Sequence, residues 1–265
     1  MEARFENGID GKSVVGTGFW VQYPCGKSVF ITNHHNLDSK YLPDEFKPFS
    51  LKHISIELRD FSLSKFSPIP KMFSLSNYDL ILSPNADVAI ICNIIFSDPL
   101  DEFATLPLNA GWLADESFFD NYCGITQEVA FIGFPQGKYD EEGNLPIAGH
   151  AILASIPNRS FKSKLIKPDD VVLVDGRSFK GSSGSPVLTF PRGVSIGVDN
   201  GGHVNTGDYC PQRIVGIMSG HLYQEGKWIS DLDIKREDFL NHSGKSFFTR
   251  STSILSLFDV LKTKK

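Results

Sequence analysis

The chain has little of what would place it outside the ordinary globular class. It has no basic surplus: 26 Lys and Arg stand against 31 Asp and Glu, for a net charge of −5. That excludes a nucleic-acid binder held by a basic surface. No apolar run reaches the length of a membrane span. The first residues, Met1 to Asn7, carry acids and no apolar core, so no secretory leader is expected. The four cysteines, Cys25, Cys92, Cys123 and Cys210, are scattered without paired spacing, which argues against a disulfide framework or a zinc site. These absences predict a cytoplasmic protein with free thiols, without metal or cofactor, and with neither nucleic acid nor membrane among its partners.

What is present is a chain of short strand signals. At 265 residues with 41% hydrophobic content, it is long enough for one large β domain or two smaller ones. Gly11 to Asn33 reads as a hairpin, with β-branched and aromatic residues from Val14 to Val21 and from Val29 to Thr32 around turn residues Tyr23 to Lys27. His53 to Arg59 alternates, and Tyr78 to Leu82 and Val88 to Cys92 read as further strands. Phe66 to Pro70 reads as a loop, and Asp98 to Asp115 reads as a connector. A second group follows: Glu128 to Gly133 (stopped by Phe134-Pro135-Gln136-Gly137), Ala148 to Ile156, Val171 to Val174, Ser185 to Phe190, Arg213 to Met218 and a last run at Lys227 to Ile229. Ser251 to Leu261 has apolar residues at helical spacing behind capping hydroxyls. The expected fold is all-β, two antiparallel β-barrels of six-stranded type with a C-terminal helix packed on the second. The expected division is 1–105, 106–245 and 246–265 within a single functional domain.

Three stretches carry candidate chemistry. Gly181-Ser182-Ser183-Gly184-Ser185-Pro186 lies between two strand signals. Such a cluster is either a plain turn or a loop that aims successive N–H groups at one point around an exposed Ser183, as an oxyanion site requires. A serine is inert unless a base is held beside it. His34 and His35 follow the strand ending at Thr32, where they fit a base, a surface loop or a metal site that lacks further ligands of convincing spacing. Asp87 opens the strand from Val88. It fits a turn residue or the acceptor of a histidine ring N–H. His53, inside an alternating run, reads as structural.

Together these stretches resemble trypsin-like serine proteases, in the form of the HtrA-like and glutamyl endopeptidase-like bacterial branches. Ile31-Thr32-Asn33-His34-His35 resembles the histidine motif, Asp87-Val88-Ala89-Ile90-Ile91 the aspartate motif and Gly181 to Pro186 the nucleophile loop. Val129 to Pro135 and Val215 to Gly220 resemble the opening of the second barrel and the strand lining the cleft. The order matches, with 52 residues from His35 to Asp87 and 96 from Asp87 to Ser183. The resemblance implies a chymotrypsin-like fold and endopeptidase activity on a protein or peptide substrate. It makes His35 the base, Asp87 its orienting partner, Ser183 the nucleophile, and the N–H groups of Gly181 and Ser183 the oxyanion donors. His34 is left a structural or rim role.

Two departures matter. Ser182 stands where digestive relatives carry an aspartate that pairs with a cleaved N-terminus, so control by loop ordering or a regulatory protein partner is expected instead. Arg177 stands where trypsin carries its specificity aspartate. Arg177, Ser178, Met218, Ser219 and Gly220 are the candidate substrate-binding residues. Arg177 would attract an acidic side chain, whereas Ser178, Met218 and Ser219 would suit a small or apolar one. Gly193 to Gln212 reads as a long insertion overhanging the cleft. No PDZ-like extension is expected after the second barrel. The alternative function is a protease-fold binding module with a silent triad.

Overall fold

A computed structural model describes the chain except residues 24–25, 43, 61–68, 98–106, 136–139, 141, 194, 199–201, 206–208, 229–236 and 264–265. The N-terminal half contributes β1 (Glu2–Glu6), β2 (Gly11–Val15), β3 (Phe19–Gln22), β4 (Ser28–Thr32), β5 (Ser50–Asp60), β6 (Ile69–Leu82), β7 (Ala89–Phe96) and β8 (Leu108–Asn109). They form one eight-stranded sheet in the order β2-β1-β5-β6-β7-β4-β3-β8. The C-terminal half contributes helix α1 (Glu116–Tyr122), then β9 (Glu128–Gly133), β10 (Ile147–Leu153), β11 (Val171–Asp175), β12 (Pro186–Thr189), β13 (Ser195–Val198), β14 (Gly202–Asn205), β15 (Ile214–Trp228) and β16 (Glu237–Arg250), and helix α2 (Ser251–Thr263). Six of these strands close a barrel in the order β10-β11-β16-β15-β12-β9, while β13 and β14 pair as a separate hairpin.

The all-β, two-unit architecture with a terminal helix is as expected. Only the second unit is a closed ring of six, however; the first is the longer sheet, enlarged by the β1–β2 ribbon paired on β5. The expected hairpin from Gly11 to Asn33 is divided. Gly16, Thr17 and Gly18 leave the sheet, so β2 pairs with β1, and β4 pairs with β3 alone on that side. Gly18 has no alternative residue there, since a Cβ would lie 2.2 Å from the Phe30 ring. Several elements lay outside the strand reading, among them β1, β16 and helix α1. Helix α1 replaces part of the supposed connector, with Asp115 Oδ1 accepting from Phe118 N at 2.8 Å in the manner of an N-cap. The run at Lys227 is the end of β15, which pairs with β16 along its length. Phe66 to Pro68, much of the connector and Gln136-Gly137 lie outside the described residues, as do parts of the insertion that holds β13 and β14.

Ser246 to Arg250 complete β16, and α2 begins at Ser251. The helix does not pack on the barrel alone. Ile254, Leu257 and Phe258 are buried with Phe19, Val21, Tyr23, Val29, Ile31 and Ile90 of the first sheet and with Leu188, Ile214 and Ile217 of the barrel. Phe258 stacks edge-on against Tyr23, with centroids 5.2 Å apart. Burying such side chains contributes roughly 1.5–3 kcal/mol each, so α2 binds the two halves together. Among the described residues, no helix is long and apolar enough to cross a membrane.

Candidate active site

The histidine and the aspartate meet because of one strand pairing. Thr32 at the end of β4 lies opposite Ala89 at the start of β7, so the residues just beyond each meet. A single helical turn over His34–Asn36 follows β4 and carries His35 toward Asp87. The His35 ring Nδ1 lies 2.7 Å from Asp87 Oδ2, and the His35 backbone N–H donates to Asp87 Oδ1 at 3.0 Å. Asn33 adds a third donor: its amide Nδ2 reaches Asp87 Oδ2 at 3.1 Å and the Asp87 carbonyl at 2.7 Å. The same amide reaches Ser219 Oγ at 3.0 Å, which in turn meets Thr249 Oγ1 at 2.8 Å. Asp87 is 4% exposed. Burial pushes its carboxyl up, but the charge and hydrogen bonds of His35 outweigh that and hold it below the usual range. For His35, burial pushes down, and the charge and hydrogen bond of Asp87 reverse this to leave the imidazole above its usual 6.5. His34 is buried, with Nε2 3.4 Å from Asp38 Oδ2, in keeping with a structural role. His53 Nε2 meets Ser74 Oγ at 3.0 Å and is likewise structural.

The serine loop is more than a plain turn. Ser182 N donates to Phe179 O at 2.9 Å, closing a four-residue turn. Gly181 is its third residue, at φ +92°, as a type II turn demands. Gly184 N donates to Met218 O, and Ser185 N donates to Ser182 O. The alternate donors, Gly181 N and Ser183 N, have no hydrogen-bond acceptor among the described residues. They are the pair that the resemblance implies as oxyanion donors. The loop is pinned against the first sheet through Thr17: Thr17 N donates to Ser183 O at 2.7 Å, and its hydroxyl donates to Gly181 O at 2.8 Å. Thr32 Oγ1 donates to Thr17 O at 2.8 Å. Ser183 is therefore tied, through Thr17, to the end of the strand that carries His35. Gly184, at φ +96°, is irreplaceable, since a Cβ would lie 1.7 Å from Thr17 O. Ser183 is half-buried. Among the described residues, no hydrogen bond joins its hydroxyl to His35.

The expected substrate-binding residues divide. Arg177 is exposed and Ser178 buried at the loop's entrance. Met218 does not line an open pocket: it is 1% exposed and packs in the barrel core, while its backbone holds the loop at Gly184 and Ser185. Ser219 is also turned inward, toward Asn33 and Thr249. Gly220 is half-buried against Phe247. The sequence reading missed Thr17, Asn33 and Thr249 as supports. Among the described residues, no three His, Cys, Asp or Glu side chains gather as a metal site.

The fold and site define an all-β, two-unit protein with a buried His–Asp pair and a glycine–serine loop beside it. No family model matches the chain, and no curated protein matches its sequence. Solved structures of similar fold include the HtrA-type protease AlgW with a decapeptide, at 12% identity and TM-score 0.49, over 96% of this chain and 53% of that one. The chain thus spans about half of AlgW. They also include the Rv3671c protease from M. tuberculosis in its active form, at 14% identity and TM-score 0.47, over 97% of this chain and 78% of that one. The inactive form of Rv3671c matches at 15% identity and TM-score 0.42, over 98% and 87%. At such identities the chemistry must be argued from this chain's own side chains.

Proposed function

We propose that the chain is a trypsin-like serine endopeptidase. The observation that carries this reading is the 2.7 Å contact of His35 Nδ1 with a buried Asp87 carboxylate. That contact fixes the proton on Nδ1 and leaves Nε2 as the basic nitrogen. In the proposed reaction Nε2 takes the Ser183 hydroxyl proton as Oγ attacks the peptide carbonyl. Asp87 stabilises the imidazolium. Gly181 N–H and Ser183 N–H donate to the tetrahedral oxyanion, where one donor is worth roughly 10²–10³ in rate. The imidazolium returns its proton to the leaving amine as the C–N bond breaks. Water, deprotonated by His35, then cleaves the acyl ester and restores Ser183. Substrates are proteins or peptides. The Ser182 hydroxyl accepts from Phe179 N at 3.3 Å, so the loop is braced from within, and a regulatory partner would act by reshaping it.

A second reading, a binding module with a silent triad, draws on the missing Ser183–His35 hydrogen bond. Hydrolysis of a diverse peptide library separates the two. Cleavage by the native chain that is lost in both Ser183→Ala and His35→Ala supports the peptidase. No cleavage by a folded native chain supports the binding module.

A further inference from the structure

Thr17 breaks and forms no bond in the proposed cleavage, yet it is 2% exposed and every polar atom it has is engaged. Its backbone N–H donates to Ser183 O at 2.7 Å, and its hydroxyl donates to Gly181 O at 2.8 Å. The same hydroxyl oxygen accepts from Phe134 N at 3.0 Å, and the Thr17 carbonyl accepts from Thr32 Oγ1 at 2.8 Å. Three of these bonds cross from the first sheet to the barrel half. The two carbonyls held by Thr17 belong to Gly181 and Ser183, the residues whose N–H groups are assigned to the oxyanion.

The peptide units of the loop are not all held alike. The Ser183–Gly184 peptide is tied at its oxygen by Thr17 N and at its N–H by Met218 O. The Ser182–Ser183 peptide is tied at its oxygen by Ser185 N, and in a trans unit the Ser183 N–H then points the opposite way. The Gly181–Ser182 peptide is tied at its N–H by Phe179 O and at its oxygen by the Thr17 hydroxyl. The Lys180–Gly181 peptide, which carries the Gly181 N–H, has no hydrogen bond at either end among the described residues. Its direction is therefore set through the torsions of Gly181, at φ +92°, and glycine restrains its own torsions least of all residues. The bond that fixes the far side of this glycine is the one from Thr17. Because the hydroxyl oxygen already accepts from Phe134 N, its single proton is left for Gly181 O.

We propose that Thr17 is a positioning residue for the oxyanion site: its hydroxyl, aimed by Phe134 N, holds Gly181 so that the Gly181 N–H faces the cleft beside the Ser183 N–H. This inference rests on the peptidase reading and adds a residue to its machinery. Thr17 acts from the first sheet on a donor carried by the barrel half, so the oxyanion site is completed only where the two halves meet. The hydroxyl touches the loop and not the substrate. Its loss leaves substrate binding in place and weakens the hold on the charge that develops on the carbonyl oxygen, an effect on kcat rather than on KM. The complete loss of one oxyanion donor costs roughly 10²–10³ in rate, which is the ceiling for a Gly181 N–H turned out of line.

The test compares Thr17→Ser with Thr17→Ala, which both lose the methyl group and differ only in the hydroxyl. The expected kcat of Thr17→Ala is about ten- to hundredfold below that of Thr17→Ser, with KM within about threefold, while Thr17→Ser stays within about threefold of the native chain. A peptidyl trifluoromethyl ketone reports on the same site without turnover. Ser183 Oγ adds to its carbonyl carbon, the serine proton passes to His35, and the carbonyl oxygen becomes the oxyanion. Its Ki should weaken by about the same ten- to hundredfold between the two variants, whereas the matched alcohol, which forms no oxyanion, should bind both within about threefold. A Thr17 that served stability alone would lower the Tm of Thr17→Ala and leave the kcat and ketone ratios at one. If Thr17→Ala does not fold, Thr17→Cys carries the comparison, since it keeps the side chain's reach and replaces a strong donor by a weak one. Equal kcat with and without the hydroxyl, or a loss confined to KM, overturns the inference and leaves the peptidase standing. A native chain that shows no Ser183-dependent hydrolysis and takes up no ketone sinks both.

Discussion

Replacing Asp87 with asparagine changes one atom's hydrogen-bonding sense and almost nothing in size. Asp87 Oδ1 accepts from His35 N at 3.0 Å, while Oδ2 lies 2.7 Å from His35 Nδ1 and accepts from Asn33 Nδ2 at 3.1 Å. An asparagine must put an NH₂ in one of the two places. If it keeps its oxygen on the backbone N–H, its NH₂ faces both Nδ1 and the Asn33 amide. The imidazole then relieves the clash by moving its proton to Nε2, the nitrogen that must accept from serine. If the amide is turned over, its NH₂ meets the His35 backbone N–H instead. Both arrangements leave buried donors opposed. In a serine protease where such a substitution leaves the geometry intact, the loss in kcat is about 10⁴, equivalent to about 5 kcal/mol of transition-state stabilisation. The variant should therefore fall by three to four orders of magnitude in kcat/KM, as in the reference case. The remaining activity should titrate at lower pH, because burial then acts on His35 without the opposing carboxylate. Steady-state hydrolysis of one peptide substrate between pH 5 and 10 measures both effects, with thermal unfolding as the check on folding. A loss smaller than about tenfold in a folded variant would refute the assigned role of Asp87.

Three further outcomes are expected. Because Asp87 holds His35 above its usual 6.5, the proton that blocks the base leaves only at higher pH, so kcat/KM should rise with pH through an apparent pKa above ~6.5; a rising limb centred well below that value would contradict the pairing. Gly184→Ala combines a positive φ with a Cβ 1.7 Å from Thr17 O, and should destabilise by at least ~2 kcal/mol in denaturant unfolding while abolishing Ser183 reactivity. Phe258→Ala removes a side chain 3% exposed between the two halves. It should cost about 3–5 kcal/mol and lower the Tm on the order of 10 °C; a shift under about 2 °C would mean that α2 does not bind the halves together.

What was legible in the sequence was local. Strands such as Val171–Asp175 and the helix from Ser251 announce themselves by residue type and spacing. The Thr32 and Ala89 strand ends placed His35 beside Asp87 as their motifs implied. What was not legible depends on long-range pairing. Thr17 looked like the middle of a strand, yet it leaves the sheet to bond Ser183 and Gly181, more than 160 residues away. The β16 strand, rich in polar residues from Glu237 to Ser246, has no clear alternation and is defined by its partner β15. Met218 has the residue type of a pocket wall, but its position on the barrel's inner face sends it to the core.

The central claim, that Ser183 is a nucleophile activated by His35, is tested most directly by an active-site fluorophosphonate. The account predicts one equivalent of covalent label on the peptide containing Ser183 in the native chain, no label in Ser183→Ala, and a large slowing in His35→Ala. A folded native chain that takes up no label, or takes it up on another residue, would contradict it.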